Sequence, residues 1–199
     1  MRLVVGMTGA TGAPLGMRLL EALHELDEVE THLVMSRWAR TTLELETPYT
    51  AREIAKLAEV VHGTGDQTAP IASGSFRTDG MIVIPCSMKT LAGIRTGYAD
   101  GLIGRAVDVV LKEGRKLVLV PRESPLSEVH LSNMLDLARM GAVIVPPMPA
   151  FYNHPHNLDD MVDHIVARVL DQFGLPAPRA RRWTGLADAH RNAGGDNAR

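Results

Sequence analysis

Three short stretches of this 199-residue chain carry side chains able to hold an anion and move a proton. The first follows an apolar run that ends at Pro85. It reads Cys86-Ser87-Met88-Lys89-Thr90 and leads into a helical pattern. Two hydroxyls and an ammonium in a first helical turn suit a phosphate, because the unpaired N–H groups and the helix dipole there favour negative charge. A lysine in that turn is unfavourable without an anion nearby, which turns Lys89 towards a ligand. The second stretch is Arg122-Glu123-Ser124, held between Pro121 and Pro125. An arginine there can grip a phosphate, and a neighbouring carboxyl can pass a proton. By spacing alone the pair serves equally well as a surface ion pair capping the next helix. The third lies beyond Pro146, where PMPAFYN brings Tyr152 past the end of another strand.

A glycine turn accompanies these groups. Residues 3–13, LVVGMTGATGA, run apolar side chains into Gly6, with Gly9 and Gly12 following at three-residue spacing. Pro14 then opens a stretch in which Leu15, Leu19, Leu20, Leu23 and Leu26 share one helical face. A strand, a glycine turn and a helix N-terminus make an anion site, since glycine lets backbone approach a phosphate where a Cβ would clash. The spacing is not the G-x-G-x-x-G of dinucleotide folds, and no Gly-Lys-Ser/Thr follows as in a P-loop. The second strand ends in Ser36 rather than in an acid that would hold a ribose. That counts against NAD and leaves a mononucleotide such as FMN open.

The elements that must position these groups alternate along the chain. Strands are predicted at 3–5, 30–35, 80–85, 116–121 and 142–146, the last three rich in Val, Ile and Leu without alternation. Helices are predicted after Pro14, after Ser87, at 101–112, at 127–140 and in the last apolar-periodic stretch. In that stretch Leu158, Met161, Val162, Ile165, Val166, Val169, Leu170 and Phe173 recur at helical spacing. Such alternation predicts a three-layer α/β/α sandwich with a mainly parallel sheet, Rossmann- or flavodoxin-like. Ligands of such sheets collect beyond the carboxyl ends of the strands, where all three polar stretches fall. Residues 63–79 read as a long functional or mobile loop. The helix at 101–112 has apolar residues on almost every face, which predicts cover from a second subunit.

Composition narrows the function. Lysine and arginine number 21 against 23 acidic residues, and aromatics make up 4%. Neither a basic excess nor stacking platforms favour nucleic acid. The apolar runs are too short to span a membrane, and Met1-Arg2 leads into a strand rather than a signal peptide, so cytoplasm is the expected compartment. Cys86 is the single cysteine, which excludes an internal disulfide; it reads as a small buried hydrophobe rather than a nucleophile. His154 and His156 flank Pro155 without further ligands, so no metal is expected. No G-x-S-x-G elbow is present. Met88, Met134, Met140 and Met161 read as core filler, and Arg168 as a solvated residue on the polar face of the last helix. A single domain is expected over 1–175, followed by a tail at 176–199 with a disordered end. Trp183 is out of place on such a tail unless it packs against something.

Taken together, GMTGATGAPLGMRLLEAL, PIASGSFRTDGMIVIPCSMKTLAGI, VLVPRESPLSEVHLSNMLDLARMGAVIVPPMPAFYN and DHIVARVLDQFG resemble the flavin prenyltransferase (UbiX) family, which includes the B subunits of phenolic acid decarboxylases. The resemblance runs over about residues 2–183 and rests on several long motifs in order. It implies an FMN-binding sandwich assembled as a homo-oligomer, usually a dodecamer. It also implies a metal-independent transferase that joins the dimethylallyl group of dimethylallyl phosphate to reduced FMN. The product is prenylated FMN, the cofactor of a partner aromatic acid decarboxylase. By position, Gly9, Ala10, Thr11, Ser36, Ser87, Met88, Lys89, Thr90 and Arg122 would hold the flavin. Tyr152 and Arg168 would bind the prenyl phosphate, with Arg105 and Lys112 nearby and Trp183 packing at the site. Glu123 matches the acid that helps phosphate depart, and Thr11 stands where many members carry serine. A cysteine decarboxylase of the same fold would carry Ala-Ser-Ala-Asn where PCSMKT stands. A mere flavin carrier would have no use for Glu123, Tyr152 and Arg168 together.

Overall fold

The computed structural model describes residues 1–183 and Gly185; the expected disorder at the end of the tail lies outside the described residues. The chain divides into two compact units, Met1–Pro147 and the part from Met148 onward. The first unit is built on six parallel strands: β1 Arg2–Met7, β2 Glu30–Met35, β3 Val60–His62, β4 Gly80–Cys86, β5 Lys116–Pro121 and β6 Val143–Ile144. Their order across the sheet is β3-β2-β1-β4-β5-β6, the doubly wound arrangement. Every residue of β4 is buried, as its unbroken apolar run requires of a central strand covered on both faces. Val4, Met81, Val83, Leu117 and Leu119 pack on one face with residues of α4 Met88–Arg95, α5 Gly101–Lys112 and α6 Glu128–Arg139. Helix α1 Ala13–His24 packs on β4 and beside α2 Arg37–Glu46. Burial of such Val, Leu, Ile and Met side chains is worth roughly 1.5–3 kcal/mol each and is what fixes the sheet.

Five local readings need correction. β6 has two residues where five were expected, although Val145 still donates to the Leu119 carbonyl at 2.8 Å. β3, α2 and the short α3 Ala51–Ala55 carry too little periodicity to be read ahead of the structure. Segment 63–79 is not free: Ala69 and Ile71 are buried, and Pro70–Ala72 forms a 3-10 turn. The Arg115 guanidinium donates to the carbonyls of Phe76 at 2.9 Å and Gly74 at 2.7 Å, and Arg105 Nε donates to Ala72 at 3.0 Å. The apolar side of α5 is covered inside this unit, and Arg105, Asp108 and Lys112 form a polar stripe on it. The helix therefore needs no second subunit to cover it. Among the methionines, Met140 is exposed rather than core filler.

At the β2–β3 edge lies a polar cluster that the apolar pattern concealed. His32 and His62 are both buried and stacked, with His32 Nδ1 2.9 Å from His62 Nε2. His32 Nε2 lies 2.8 Å from Glu30, whose other oxygen pairs with Arg2 at 2.8 Å. Burial, followed by the neighbouring His32, holds the His62 imidazole below its ordinary value. The second unit contains α7 Leu158–Leu170, which starts at the Asn157 cap and buries Ile165, Val166, Val169 and Leu170 as the periodicity requires. Leu158, the first residue of that stripe, is exposed.

Candidate active site

The order of strands reverses between β1 and β4, and the crevice beyond their carboxyl ends is where doubly wound sheets bind ligands. Three chain segments meet there. Ser36 caps α2 by accepting the Ala39 N–H at 3.0 Å, and its own N–H donates to Met7 at the end of β1. Ser87 caps α4, accepting the Thr90 N–H at 3.3 Å with its oxygen 3.1 Å from the Thr90 hydroxyl. Thr8 ties the two strand ends together: its hydroxyl donates to the Pro85 carbonyl at 2.7 Å and accepts the Ser87 N–H at 2.8 Å.

Beside these caps lies a cavity of about 140 Å³. Thr8, Ser36, Lys89 and Thr90 line it together with Thr64, Tyr98, Asp100 and residues 101–104. Lys89 has no hydrogen-bond or ion-pair partner among the described residues. An unpaired ammonium, capping hydroxyls and a helix N-terminus form a donor set for a phosphate. The volume is below the roughly 300–1,000 Å³ of a whole small-molecule pocket, so it suits one end of a mononucleotide.

The glycine turn departs from the expected anion site. Gly12, at a φ of 103°, takes the left-handed conformation that caps α1. The N–H groups of Gly12 and Ala13, however, both donate to Glu46 Oε2 at 2.8 Å. A carboxylate from the end of α2 thus fills the α1 N-terminus, and the helix N-termini bordering the cavity are those of α2, α4 and α5. Gly9 is needed for close approach instead, since a Cβ there would lie 2.3 Å from the Trp38 Cβ. Ala10 and Thr11 follow, Ala10 half-buried and Thr11 exposed.

Arg122 and Glu123 stand just past β5. The Arg122 backbone donates to the Cys86 carbonyl at 3.2 Å, joining this loop to the one that caps α4. Its guanidinium makes no ion pair among the described residues, and Glu123 accepts only the Ser124 N–H, at 3.0 Å. Ser127 and His130 supply the capping box of α6, so neither Arg122 nor Glu123 is a helix cap. Arg105 and Lys112 are not brought to the cavity. Arg105 pairs with Asp108 at 2.7 Å, and Lys112 pairs with Glu113 against the segment around Gly74. Met88 packs on the core, and Cys86 is fully buried, its thiol pushed up to about 12 by desolvation.

The remaining sequence-predicted residues lie in the second unit. Tyr152 meets Trp183 edge to face at 5.6 Å, which gives Trp183 its packing partner. The Tyr152 hydroxyl lies 3.4 Å from His164 Nε2. Arg168 follows His164 by one turn of α7 and, like Arg182, pairs with Asp171 at 2.6 Å. These arginines, Arg182 first, hold the Asp171 carboxyl below the usual carboxylate range. His156 contacts Arg181 at 3.1 Å. Among the described residues no three metal-ligating groups gather, and no helix is long and apolar enough to cross a membrane.

Sequence reasoning missed Thr8, Glu46, Thr64 and His164. Only His164 left a usable signal, a polar residue four positions before Arg168 within an apolar stripe.

A doubly wound parallel sheet with a phosphate-type donor set at its switch point defines a nucleotide-binding α/β protein. The family model described as Flavoprotein matches residues 1–170. Over 189 residues, 95% of this chain and 96% of the relative, the chain is 74% identical to a probable UbiX-like flavin prenyltransferase of Escherichia coli O157:H7. The chain belongs to the Flavoprotein family and, within it, to the UbiX-like flavin prenyltransferases. Among solved structures it is similar to a dodecameric FMN-dependent UbiX-like decarboxylase of E. coli O157:H7, with a TM-score of 0.92 and 74% identity over 93% of this chain and 100% of that one. It is also similar to AnUbiX (PadA1) in complex with FMN and dimethylallyl pyrophosphate, with a TM-score of 0.91 and 56% identity over 93% of this chain and 98% of that one.

Proposed function

We propose that this protein is a flavin prenyltransferase. It joins the dimethylallyl group of dimethylallyl phosphate to N5 and C6 of reduced FMN and hands the prenylated FMN to a partner aromatic acid decarboxylase in the cytoplasm. The observation that carries the reading is the unpaired Lys89 at the α4 N-terminus, beside Ser36, Ser87 and Thr90 and one strand away from Arg122 and Glu123. The 74% identical relative named as a flavin prenyltransferase supports it, and so does the FMN and dimethylallyl pyrophosphate complex of AnUbiX.

Reduced FMN, when bound, supplies the two nucleophilic ring positions. The chain's own residues do the rest. Ser36, Ser87, Lys89, Thr90 and the Met88 backbone hold the phosphate end of the flavin through the helix N-terminus and the ammonium. Gly9, Ala10, Thr11 and Arg122 would hold the remainder of the flavin. Tyr152 and Arg168 bind the prenyl phosphate, with Trp183 packed beside Tyr152. As the allylic C–O bond breaks, its electron pair leaves with the phosphate, and the Arg168 guanidinium neutralises part of the growing charge. Glu123 delivers a proton to the departing phosphate. The task is positioning and charge neutralisation, which requires no metal. The working form is a homo-oligomer, a dodecamer as in the E. coli relative.

Titration with FMN should saturate at one flavin per chain, and a mixture of protein, reduced FMN and dimethylallyl phosphate should activate an apo-decarboxylase that needs prenylated FMN. Preference for NAD over FMN, or no activation, would overturn the proposal.

A further inference from the structure

Thr8 lies outside the groups assigned above, yet it holds the loop that presents them. It follows β1 directly and is 3% exposed. Its backbone N–H and its hydroxyl both donate to the Pro85 carbonyl, at 3.2 and 2.7 Å, and the hydroxyl oxygen accepts the Ser87 N–H at 2.8 Å. One side chain therefore closes the gap between β1 and β4 where the strand order reverses.

The consequence reaches the ligand donors. Ser87 is the cap of α4, and its N–H turns inward onto Thr8 while its oxygen serves Thr90. That fixes the direction of the first turn, and with it where Lys89 and Thr90 stand on the cavity wall that Thr8 shares. A valine at position 8 has nearly the same shape but cannot accept the Ser87 N–H. The loop would then relax to satisfy that amide with water, and ligand binding would have to draw it back.

We propose that the Thr8 hydroxyl is a positioning group for the mononucleotide phosphate, acting through Ser87 to aim the α4 N-terminus. The proposal rests on the reading that FMN binds at this N-terminus. FMN affinity is measured by fluorescence titration for the wild type, Thr8→Val and Thr8→Ser, together with the KM for dimethylallyl phosphate at saturating reduced FMN. The hydroxyl-free variant should bind FMN about ten-fold more weakly, as expected for one part-buried amide left without its partner. The serine variant should restore the affinity, and the KM for dimethylallyl phosphate should stay unchanged in both. Equal FMN affinity in Thr8→Val overturns the proposal, and so does a parallel loss of both ligands, which marks a general folding defect. If Thr8→Val does not fold, Thr8→Ala against Thr8→Ser isolates the hydroxyl: weaker binding by alanine alone supports the proposal, and equal binding overturns it. A wild type that binds no FMN removes the functional reading itself, a result distinct from any difference among variants.

Discussion

Glu123 and Cys86 stand at the ends of neighbouring strands in opposite surroundings. The thiol is fully buried and held far from its reactive form, whereas the carboxyl is exposed and bonded only to the next residue's N–H. On the proposed mechanism, proton transfer at this end of the sheet falls to Glu123 rather than to the thiol. Glu123→Gln should keep FMN affinity while slowing prenyl transfer by about 10²–10⁴, the usual worth of one general acid. An unchanged single-turnover rate would leave Glu123 a loop residue. Arg168→Ala and Tyr152→Phe should each raise the KM for dimethylallyl phosphate by roughly ten- to hundred-fold at constant FMN affinity, the value of one charge-assisted hydrogen bond. Equal loss of both ligands would point to folding instead. The placement of Lys89, Arg122 and Glu123 just past strand ends was legible because each follows an apolar strand run, and such ends are where ligands of these sheets bind. Glu46 was not, because the amides it bonds lie more than thirty positions earlier in the chain. Thr8 was hidden because a threonine before a glycine turn looks like any other turn residue.

Long apolar strands and the α1 and α7 stripes could be read from pattern alone, since burial on a defined face leaves a period in the sequence. β3, with three residues, leaves none. α5 was misread because its apolar majority outweighed Arg105, Asp108 and Lys112, whose i, i+3, i+7 spacing is itself a polar face. The β2–β3 edge has a measurable signature. Burial and His32 lower the folded pKa of His62 below 6.5, while Asp66 opposes them and Glu30 with Arg2 frames His32. The fold thus favours neutral His62. Its contribution is complete above the ordinary histidine value and is lost as pH falls through that value towards the lower folded one. Thermal unfolding should shift to lower temperature between about pH 7 and pH 5, and His62→Asn should flatten that slope. A wild-type slope that persists in the variant would assign the effect to other groups.

Among the described residues, α6 carries several exposed apolar side chains. Leu137 alone is buried on this helix, while Leu131 and Leu135, one turn apart, are each 53% exposed, and Val129 and Met140 are exposed beside them. Two leucines aligned on one face form an apolar patch that association would cover. Light scattering should report an assembly far larger than the 21.6 kDa chain, and Leu135→Asp should shrink it. A wild-type monomer would contradict the homo-oligomer. The central claim is prenyl transfer to reduced FMN, and mass spectrometry of the flavin tests it most directly. After anaerobic incubation of the purified protein with reduced FMN and dimethylallyl phosphate, the flavin should be recovered heavier by one added dimethylallyl unit, with inorganic phosphate released in equal amount. FMN recovered at its starting mass, with dimethylallyl phosphate intact, would contradict the account.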